Sequence, residues 1–355
     1  MAERKKRHWL NHLSFGTLSL VASGLLILSY LSVIINPAKA WFFTLFGLLY
    51  PVVLPLTLVL FVWALLRRSH MRGLLLLALL PSLFFAGRYC QFKAPEPQKE
   101  ATLKVISYNV GLFAQGPAKM ERKALADSVS NWLLAQNADI ICLQEFYMDS
   151  GAEAWLAKHF PRYKADYYVL TGVHGQFGNV ILSRRPISGK GKINFEKSTN
   201  MALWADVRLD SSTVRIYNCH FESYNISLSN LVKKDGAVEE TERKMRRSIT
   251  ERPKQVAEVM QGVDNAPVQS LVVGDFNDTP LSYTYMRLLR GRRDSFVKAG
   301  KGFGATYRSL WPLLRIDYIL YPPELEAVSY TIPHVKYSDH YPVIATYYET
   351  GRNTQ

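Results

Sequence analysis

Three stretches nearly free of charge crowd the first 90 residues and decide much of what this chain can become. Leu13 to Ile35 and Ala40 to Leu66 carry no charged side chain, and Gly73 to Gly87 is bracketed by Arg72 and Arg88. About 20 apolar residues suffice for a helix to cross a bilayer. The first two runs reach that length, and Pro51 and Pro55 in the second are tolerable as kinks in a membrane helix. The third is shorter and contains Pro81. A cleaved signal peptide is the competing reading of the first run. Against it stand a long apolar core, no convincing small-x-small site and the further apolar runs that follow. The expectation is a membrane domain, residues 1–89, of three transmembrane helices.

The cations set an orientation. Arg4-Lys5-Lys6-Arg7 and the Arg67–Arg72 loop would both face the cytoplasm, leaving the Asn36–Lys39 loop and everything after Arg88 outside it. If the third run did not span, the later part would instead be cytoplasmic. A formal net charge of +14 invites an anionic partner, but residues 1–93 hold ten Lys/Arg against one acid, leaving 33 against 28 elsewhere. Most of the excess flanks membrane segments and says little for nucleic acid. Three cysteines are too few for a disulfide framework, and Cys142 and Cys219 lie in apolar runs as small buried hydrophobes.

Residues 90–101 read as a short stiff linker, and residues 102–350 as one soluble domain. Strand-like runs at 103–110, 139–145, 179–183, 203–209, 214–220, 271–273, 315–320 and 343–347 outnumber helical segments, expected at about 119–136 and 228–260. Many strands with few helices between them predict an α+β fold, two packed sheets with helices outside.

Several of these strands end in one polar residue of a catalytic type. Leu271-Val272-Val273-Gly274 runs into Asp275, with Asn277 two positions on and Thr279-Pro280 beyond. Residues i and i+2 of a strand share a face, so Asp275 and Asn277 can enter one pocket; an Asx-type turn is the plainer alternative. Asn109, Glu145, Asn218 and His220 fall at other strand ends, Asp317 lies in a strand, and Ser338-Asp339-His340 precedes one. Singly, each has an ordinary explanation: Glu145 opening a loop, Asp317 pairing with Arg315, His340 on the surface. Polar groups at buried strand ends are costly unless satisfied, so together they suggest a site.

Its chemistry follows from residue types. Glu145 offers a hard anionic oxygen and Asn109 a neutral one, a sparse set suited to Mg²⁺, which keeps several waters and takes phosphate oxygens. No Cys/His cluster points to structural zinc. Asp275 suits positioning and deprotonating a water, with Asn277 holding that nucleophile or a phosphate oxygen. His220 and His340 suit donation to non-bridging oxygens, Asp317 or Asp339 setting tautomer and charge, and Asn218 would fix a neighbour or touch the phosphate. Metal-assisted phosphoester hydrolysis is the reaction class.

These pieces resemble the endonuclease/exonuclease/phosphatase superfamily: Ser107-Tyr108-Asn109-Val110, Leu143-Gln144-Glu145, Gly178–Arg184, Asn218-Cys219-His220, Gly274-Asp275-Phe276-Asn277, Arg315–Leu320 and Ser338–Val343, in family order. The resemblance covers about residues 102–348. It implies a four-layered α/β/β/α sandwich of two packed mixed sheets and a divalent metal, usually Mg²⁺ with Mn²⁺ as substitute. It implies Asn109 and Glu145 as metal ligands, His220 on the phosphate side and Asp275 and Asn277 at the nucleophile. Asp317 would hold His340, and Asp339 would sit near the metal.

The substrate stays open among lipid head groups, nucleotides and nucleic acid, beside a lipid bilayer and with no obligate protein partner evident. Lys233 to Lys254 holds eight Lys/Arg against five acids, a solvated helix or an anion clamp. Tyr224, Tyr307 and Trp311 are candidates to line a groove. The expected activity is that of a membrane-anchored phosphodiesterase or phosphatase, integral to the membrane with its catalytic domain outside the cytoplasm. The alternative is a non-catalytic membrane module that binds phosphorylated ligands.

Overall fold

The computed structural model describes residues 2–92, 100–117, 120–171, 175–224 and 237–350. Among them, two helices are long and apolar enough to cross a membrane, α1 (Ala2–Leu31, its apolar part Ser14–Leu31) and α2 (Phe43–Leu66). Pro51 and Pro55 lie inside α2 without breaking it. The third apolar run does not form one spanning helix. It divides into α3 (Arg72–Leu79) and α4 (Ser82–Phe85), because Pro81 has no N–H to donate and the next amides bond in tighter turns, Leu83 to Leu80 and Phe84 to Pro81.

The three runs pack side by side. Ala22, Leu60, Ala64, Met71 and Leu75 form one apolar cluster. Leu26, Tyr50, Val53 and Ala78 form another, which also takes in Leu281 from the far part of the chain. Ser32 Oγ donates to the Leu281 carbonyl at 2.7 Å. Arg88 donates to the Pro280 carbonyl at 3.4 Å, and its own carbonyl accepts from Arg315 at 3.1 Å. Residues 90 and 91, the start of the expected linker, form β1 (Cys90–Gln91); residues 93–99 lie outside the described residues.

From β2 onward the chain builds two six-stranded mixed sheets. Its strands and helices are β2 (Leu103–Asn109), α5 (Arg122–Ala135), β3 (Ile140–Met148), α6 (Ala152–His159), β4 (Lys164–Thr171), β5 (Gln176–Ser183), β6 (Ile187–Asn194), β7 (Met201–Arg208), β8 (Thr213–His220), α7 (Ala237–Asp264), β9 (Ser270–Asp275), α8 (Tyr283–Leu289), β10 (Arg293–Asp294), α9 (Ser295–Ala299), β11 (Gly302–Phe303), β12 (Asp317–Tyr321), β13 (Leu325–Thr331) and β14 (Val343–Glu349). One sheet has the order β13-β14-β2-β3-β5-β4, the other β10-β12-β9-β8-β7-β6, and β1 pairs separately with β11. β2 runs parallel to β3 and β8 parallel to β9; the other pairs are antiparallel.

Three apolar layers explain why the central strands read as continuous apolar runs. Val105, Cys142, Ile181, Leu203, Ile216, Leu271 and Ile319 fill the space between the sheets. Ile106, Ile141 and Leu143 meet Val129 and Leu133 of α5 and Leu156 of α6 on one outer side. Tyr217, Val272 and Tyr318 meet Val256 and Val259 of α7 and Tyr285 of α8 on the other. The order is therefore helix, sheet, sheet, helix. The helix-rich stretch expected from residue 228 is described from Ala237, and β4, β6 and β13 are strands that periodicity alone did not single out. Of the basic stretch, Lys233 lies outside the described residues; Arg243, Lys244, Arg246 and Arg247 are exposed, whereas Arg252 is buried.

Candidate active site

Side-chain alternation carries the polar residues to one rim of the space between the sheets. Leu103 and Val105 of β2 face that space, so Asn109 ends the same row. Leu271 and Val273 lead likewise to Asp275 on β9, and Val214 and Ile216 lead to Asn218 and then His220 on β8. On β12, which runs opposite to β9, Ile319 and Tyr321 share their row with Asp317, and Asp317 stands directly across from Asp275.

Glu145 arrives by a different route. Ile141 and Leu143 of β3 face the helices, so strict alternation would send Glu145 there too. A bulge between Leu143 and Phe146 interrupts the pairing with β5, Glu145 takes φ 50°, and Phe146 returns to the helix side. Gln144 and Glu145 both turn toward the second sheet. Gln144 Nε2 then donates to Asn218 Oδ1 at 2.7 Å, and Glu145 Oε1 accepts from Asn109 Nδ2 at 3.0 Å.

Asn109 sits between two carboxylates. Its Nδ2 also donates to Asp275 Oδ2 at 2.9 Å, while its Oδ1 accepts from the Gly111 amide at 3.0 Å. Burial pushes the Asp275 carboxyl above the ordinary carboxylate range; His340 and His220 pull it back, and Asp317 adds to the rise. The strand stops at Asp275. Asn277, with φ 50°, gives its backbone N–H to Asp275 Oδ1 at 2.8 Å and its Nδ2 to the Phe221 carbonyl at 2.8 Å. The Asx turn weighed as an alternative is present, and it is the device that fixes Asp275.

His340 Nδ1 lies 2.9 Å from Asp317 Oδ2, and its Nε2 lies 3.7 Å from Asp275 Oδ2. Burial alone would lower the imidazole pKa, but the carboxylates of Asp317 and Asp275 outweigh it and raise it to about 10. The two carboxylates thus favour the charged ring. Arg315 leaves Asp317 free for this task, because its guanidinium is taken by Asp294 at 2.6 and 2.7 Å. His220 Nε2 is 3.5 Å from Glu145 Oε1 and 4.0 Å from Asp275 Oδ2, without hydrogen-bond geometry to either. Asp339 is half-buried beside Gly111, its Oδ1 3.2 Å from Ser338 Oγ.

The donor chemistry fits a divalent cation. Glu145, His220 and Asp275 each bring one donor atom within 4.8 Å of the others, and Asp275, Asp317 and His340 form a second such group. Asn109 places its N–H group between the carboxylates of the first group, answering a concentration of negative charge that a hard cation would also answer.

Asn218 supports the site from beneath. It is fully buried, and its Nδ2 donates to the Leu143 and Val180 carbonyls, both at 2.9 Å, tying one sheet to the other. Sequence reasoning left without a role Gln144, Asn179, Thr306 and Ser338. Asn179 Nδ2 donates to the Asn218 carbonyl at 3.2 Å, Thr306 Oγ1 accepts from the Asp317 amide at 3.1 Å, and Ser338 Oγ donates to the Asn109 carbonyl at 2.8 Å. Their signal was available: Asn179 and Gln144 are polar residues at inward-facing positions of apolar strands. Arg252, buried against the Tyr224 ring at 4.2 Å, lies 3.0 Å from Asp278 Oδ2 and braces the segment that follows Asn277.

Comparison with known proteins agrees with this architecture. Residues 106–340 match the endonuclease/exonuclease/phosphatase family, and residues 11–89 match a domain family of unknown function. No curated protein matches the chain. Among solved structures, the catalytic domain of human Nocturnin with bound sulfate anion is 17% identical with a TM-score of 0.53, covering 73% of this chain and 97% of that one. A D. rerio TDP2 humanized by 14 mutations is 20% identical with a TM-score of 0.50, covering 69% and 98%. An endonuclease/exonuclease/phosphatase family protein of Bacteroides thetaiotaomicron is 16% identical with a TM-score of 0.50, covering 70% and 98%. These likenesses are of fold.

Proposed function

Because the chain belongs to the endonuclease/exonuclease/phosphatase family, we propose that it is a membrane-anchored, divalent-metal-dependent phosphoester hydrolase in which a water attacks phosphorus. The observation that carries this reading is the convergence of Glu145, His220, Asp275 and the Asp317–His340 pair on one rim between two sheets. A binding module would not require a buried acid and a buried imidazolium at 3.7 Å.

In this reading Glu145 would hold Mg²⁺ or Mn²⁺ with Asp339 close by, and Asn109 would join it with its amide turned about, since its Nδ2 now faces the carboxylates and its Oδ1 accepts from Gly111. The bound ion would polarise the phosphoryl oxygens and offset charge developing on them. Asp275, its carboxyl raised by burial, accepts the proton of the attacking water as that water's oxygen bonds to phosphorus and the P–O ester bond breaks, the departing alcohol oxygen taking its proton from solvent. Asn277 keeps the carboxylate in place. His340, held protonated by Asp317, donates from Nε2 to a non-bridging oxygen as charge grows. His220 donates beside it, and Asn218 fixes the strand end that carries His220. The substrate class is a phosphoester of a lipid head group, nucleotide or nucleic acid.

We assign residues 1–89 to the membrane, 90–101 to a junction and 102–350 to catalysis. The separate family match over residues 11–89 supports the first division. A third crossing would have to be made by α3 and α4 together across the break at Pro81, and the contacts at the domain junction favour it: Ser32 after α1, Gly47 in the first turns of α2 and Arg88 after α4 all meet the catalytic part. With three crossings, the Arg/Lys-rich N-terminus would favour a catalytic domain outside the cytoplasm.

Hydrolysis of bis(p-nitrophenyl) phosphate by the full-length protein, with Mg²⁺ or with EDTA, tests the reading. Turnover should require the metal and vanish in Asp275→Ala. No turnover with metal would leave the non-catalytic module as the surviving account, and an unaffected variant would mean that the turnover does not come from Asp275.

A further inference from the structure

We infer that Phe303, Leu310 and Trp311 form a ridge that seats on the bilayer leaflet next to the membrane helices, so that the site takes its phosphoester from a lipid in that leaflet. This rests on the membrane-anchored hydrolase reading above. Phe303 is 53% exposed, Leu310 40% and Trp311 45%. With Phe92, 89% exposed, they are four of the six large apolar side chains left exposed among the described residues after Cys90. Clustered exposed apolar side chains mark an interaction surface, and exposed aromatics beside a membrane segment suit the interface.

What covers the ridge follows from its address. Phe303 stands in register with Cys90 in the β1–β11 pair, and Cys90 comes five residues after Phe85, the end of α4. Neighbouring strands lie about 5 Å apart, so the ridge is fixed beside the chain as it leaves the apolar helices. Leu83 and Phe84 of α4, a few residues before Cys90, are themselves strongly exposed. Trp311 packs edge-on against Phe303, ring centres 5.9 Å apart. Between them opens a pocket of about 240 Å³ lined by Phe303, Trp311, Tyr330 and Ile332, with Lys301 and His334 as its polar members.

The ridge also reaches the chemistry. Tyr307 bridges His340, its ring edge-on at 5.3 Å, and lies only three and four residues before Leu310 and Trp311. On the other side His334 contacts Trp311 at 5.8 Å and stacks on Tyr341 at 4.4 Å, next to His340. At about 3.5 Å per residue, Leu310 is within roughly 11 Å of chain from Tyr307. A phosphate at the lipid surface is therefore at the reach of the site once the ridge is seated.

The test uses the full-length protein in vesicles of phosphatidylcholine, phosphatidylglycerol and phosphatidic acid. A fluorescent probe on Leu310→Cys, in a Cys90→Ser background, should be quenched by spin-labelled lipid, while the same probe on Ser188→Cys should not. Equal quenching at both positions would overturn the ridge. Phe303→Asp with Leu310→Asp should keep hydrolysis of bis(p-nitrophenyl) phosphate within about two-fold, yet lower release of phosphate or head group from vesicles by about ten-fold or more. Equal loss on both substrates, no loss on either, or a wild type that cleaves only the soluble diester would overturn the inference. A wild type that cleaves neither substrate refutes the hydrolase reading, while the quenching result still decides the ridge.

Discussion

Asp317 Oδ2 lies 2.9 Å from Nδ1 of His340, a contact that aims the ring, and its carboxylate together with that of Asp275 favours the charged imidazole. Nε2 is left facing Asp275 at 3.7 Å. Asp317→Asn should keep the side chain's shape and lose the charge that holds the imidazolium. The expected outcome is a fall in kcat of about 10²-fold or more with KM nearly unchanged, measured on a soluble diester. A fall confined to KM would mean that His340 only binds.

The same pair sets a dependence of stability on pH. The His340 pKa is raised to about 10, above its ordinary value of about 6.5. A raised cationic group contributes stability that is complete below the unfolded value and is lost as pH rises through the folded one. Besides Asp317, the charged groups acting on His340 are Asp275 and Asp339. Thermal unfolding in EDTA should therefore show stability declining from pH 6.5 to pH 10, and Asp317→Asn should decline less steeply. Parallel curves would remove His340 as the cause.

Glu145 depends on a bulge, and its role separates from that of Asp275 by a titration. Glu145→Gln removes the anionic charge of the most exposed member of the Glu145–His220–Asp275 group and should raise the half-saturating Mg²⁺ concentration by at least about ten-fold. Asp275→Asn should instead lower kcat at saturating metal. Identical metal titrations for wild type and Glu145→Gln would move the metal away from Glu145.

Much of this site is legible without coordinates because a strand's two-residue period delivers Asn109, Asp275 and His220 to one side. Glu145 breaks that period, and alternation alone would have placed it against the helices; only the bulge at Gln144–Glu145 restores it. Arg315 beside Asp317 suggested a local ion pair, yet Arg315 reaches Asp294, twenty-one positions away, which local sequence cannot anticipate. Asn218 reads as a site residue because it shares His220's row, but depth along the row, not face, decides what it touches. The third apolar run shows the opposite case: composition suggests a span, and a single proline divides the helix.

Gly274 lets β9 lie close against β8 just before Asp275. It has φ 129°, a conformation L-residues rarely adopt, and a Cβ there would overlap the carbonyl of Cys219 on β8. Gly274→Ala adds backbone strain and a clash with a neighbouring strand, together about 3 kcal/mol or more. For a domain of this size that is a fall in Tm of roughly 6 °C or more. An unchanged Tm would mean that β8 and β9 separate without cost.

Gly47 tests whether the N-terminal helices and the two-sheet domain act as one body. A Cβ at Gly47 would overlap the Leu281 carbonyl and the Ser32 hydroxyl, so Gly47→Ala must push α2 away from a segment only four residues beyond Asn277. Small displacements of catalytic groups are costly, and activity should fall by about 10-fold to 10²-fold. Gly24 in α1 is the control, since a Cβ there meets nothing within 4 Å. Alanine favours a helix over glycine by about 1 kcal/mol, so Gly24→Ala should leave activity intact and Tm unchanged or higher. If both variants keep full turnover, the helices serve as an anchor alone, and the contact of Ser32 with Leu281 carries no influence on Asp275.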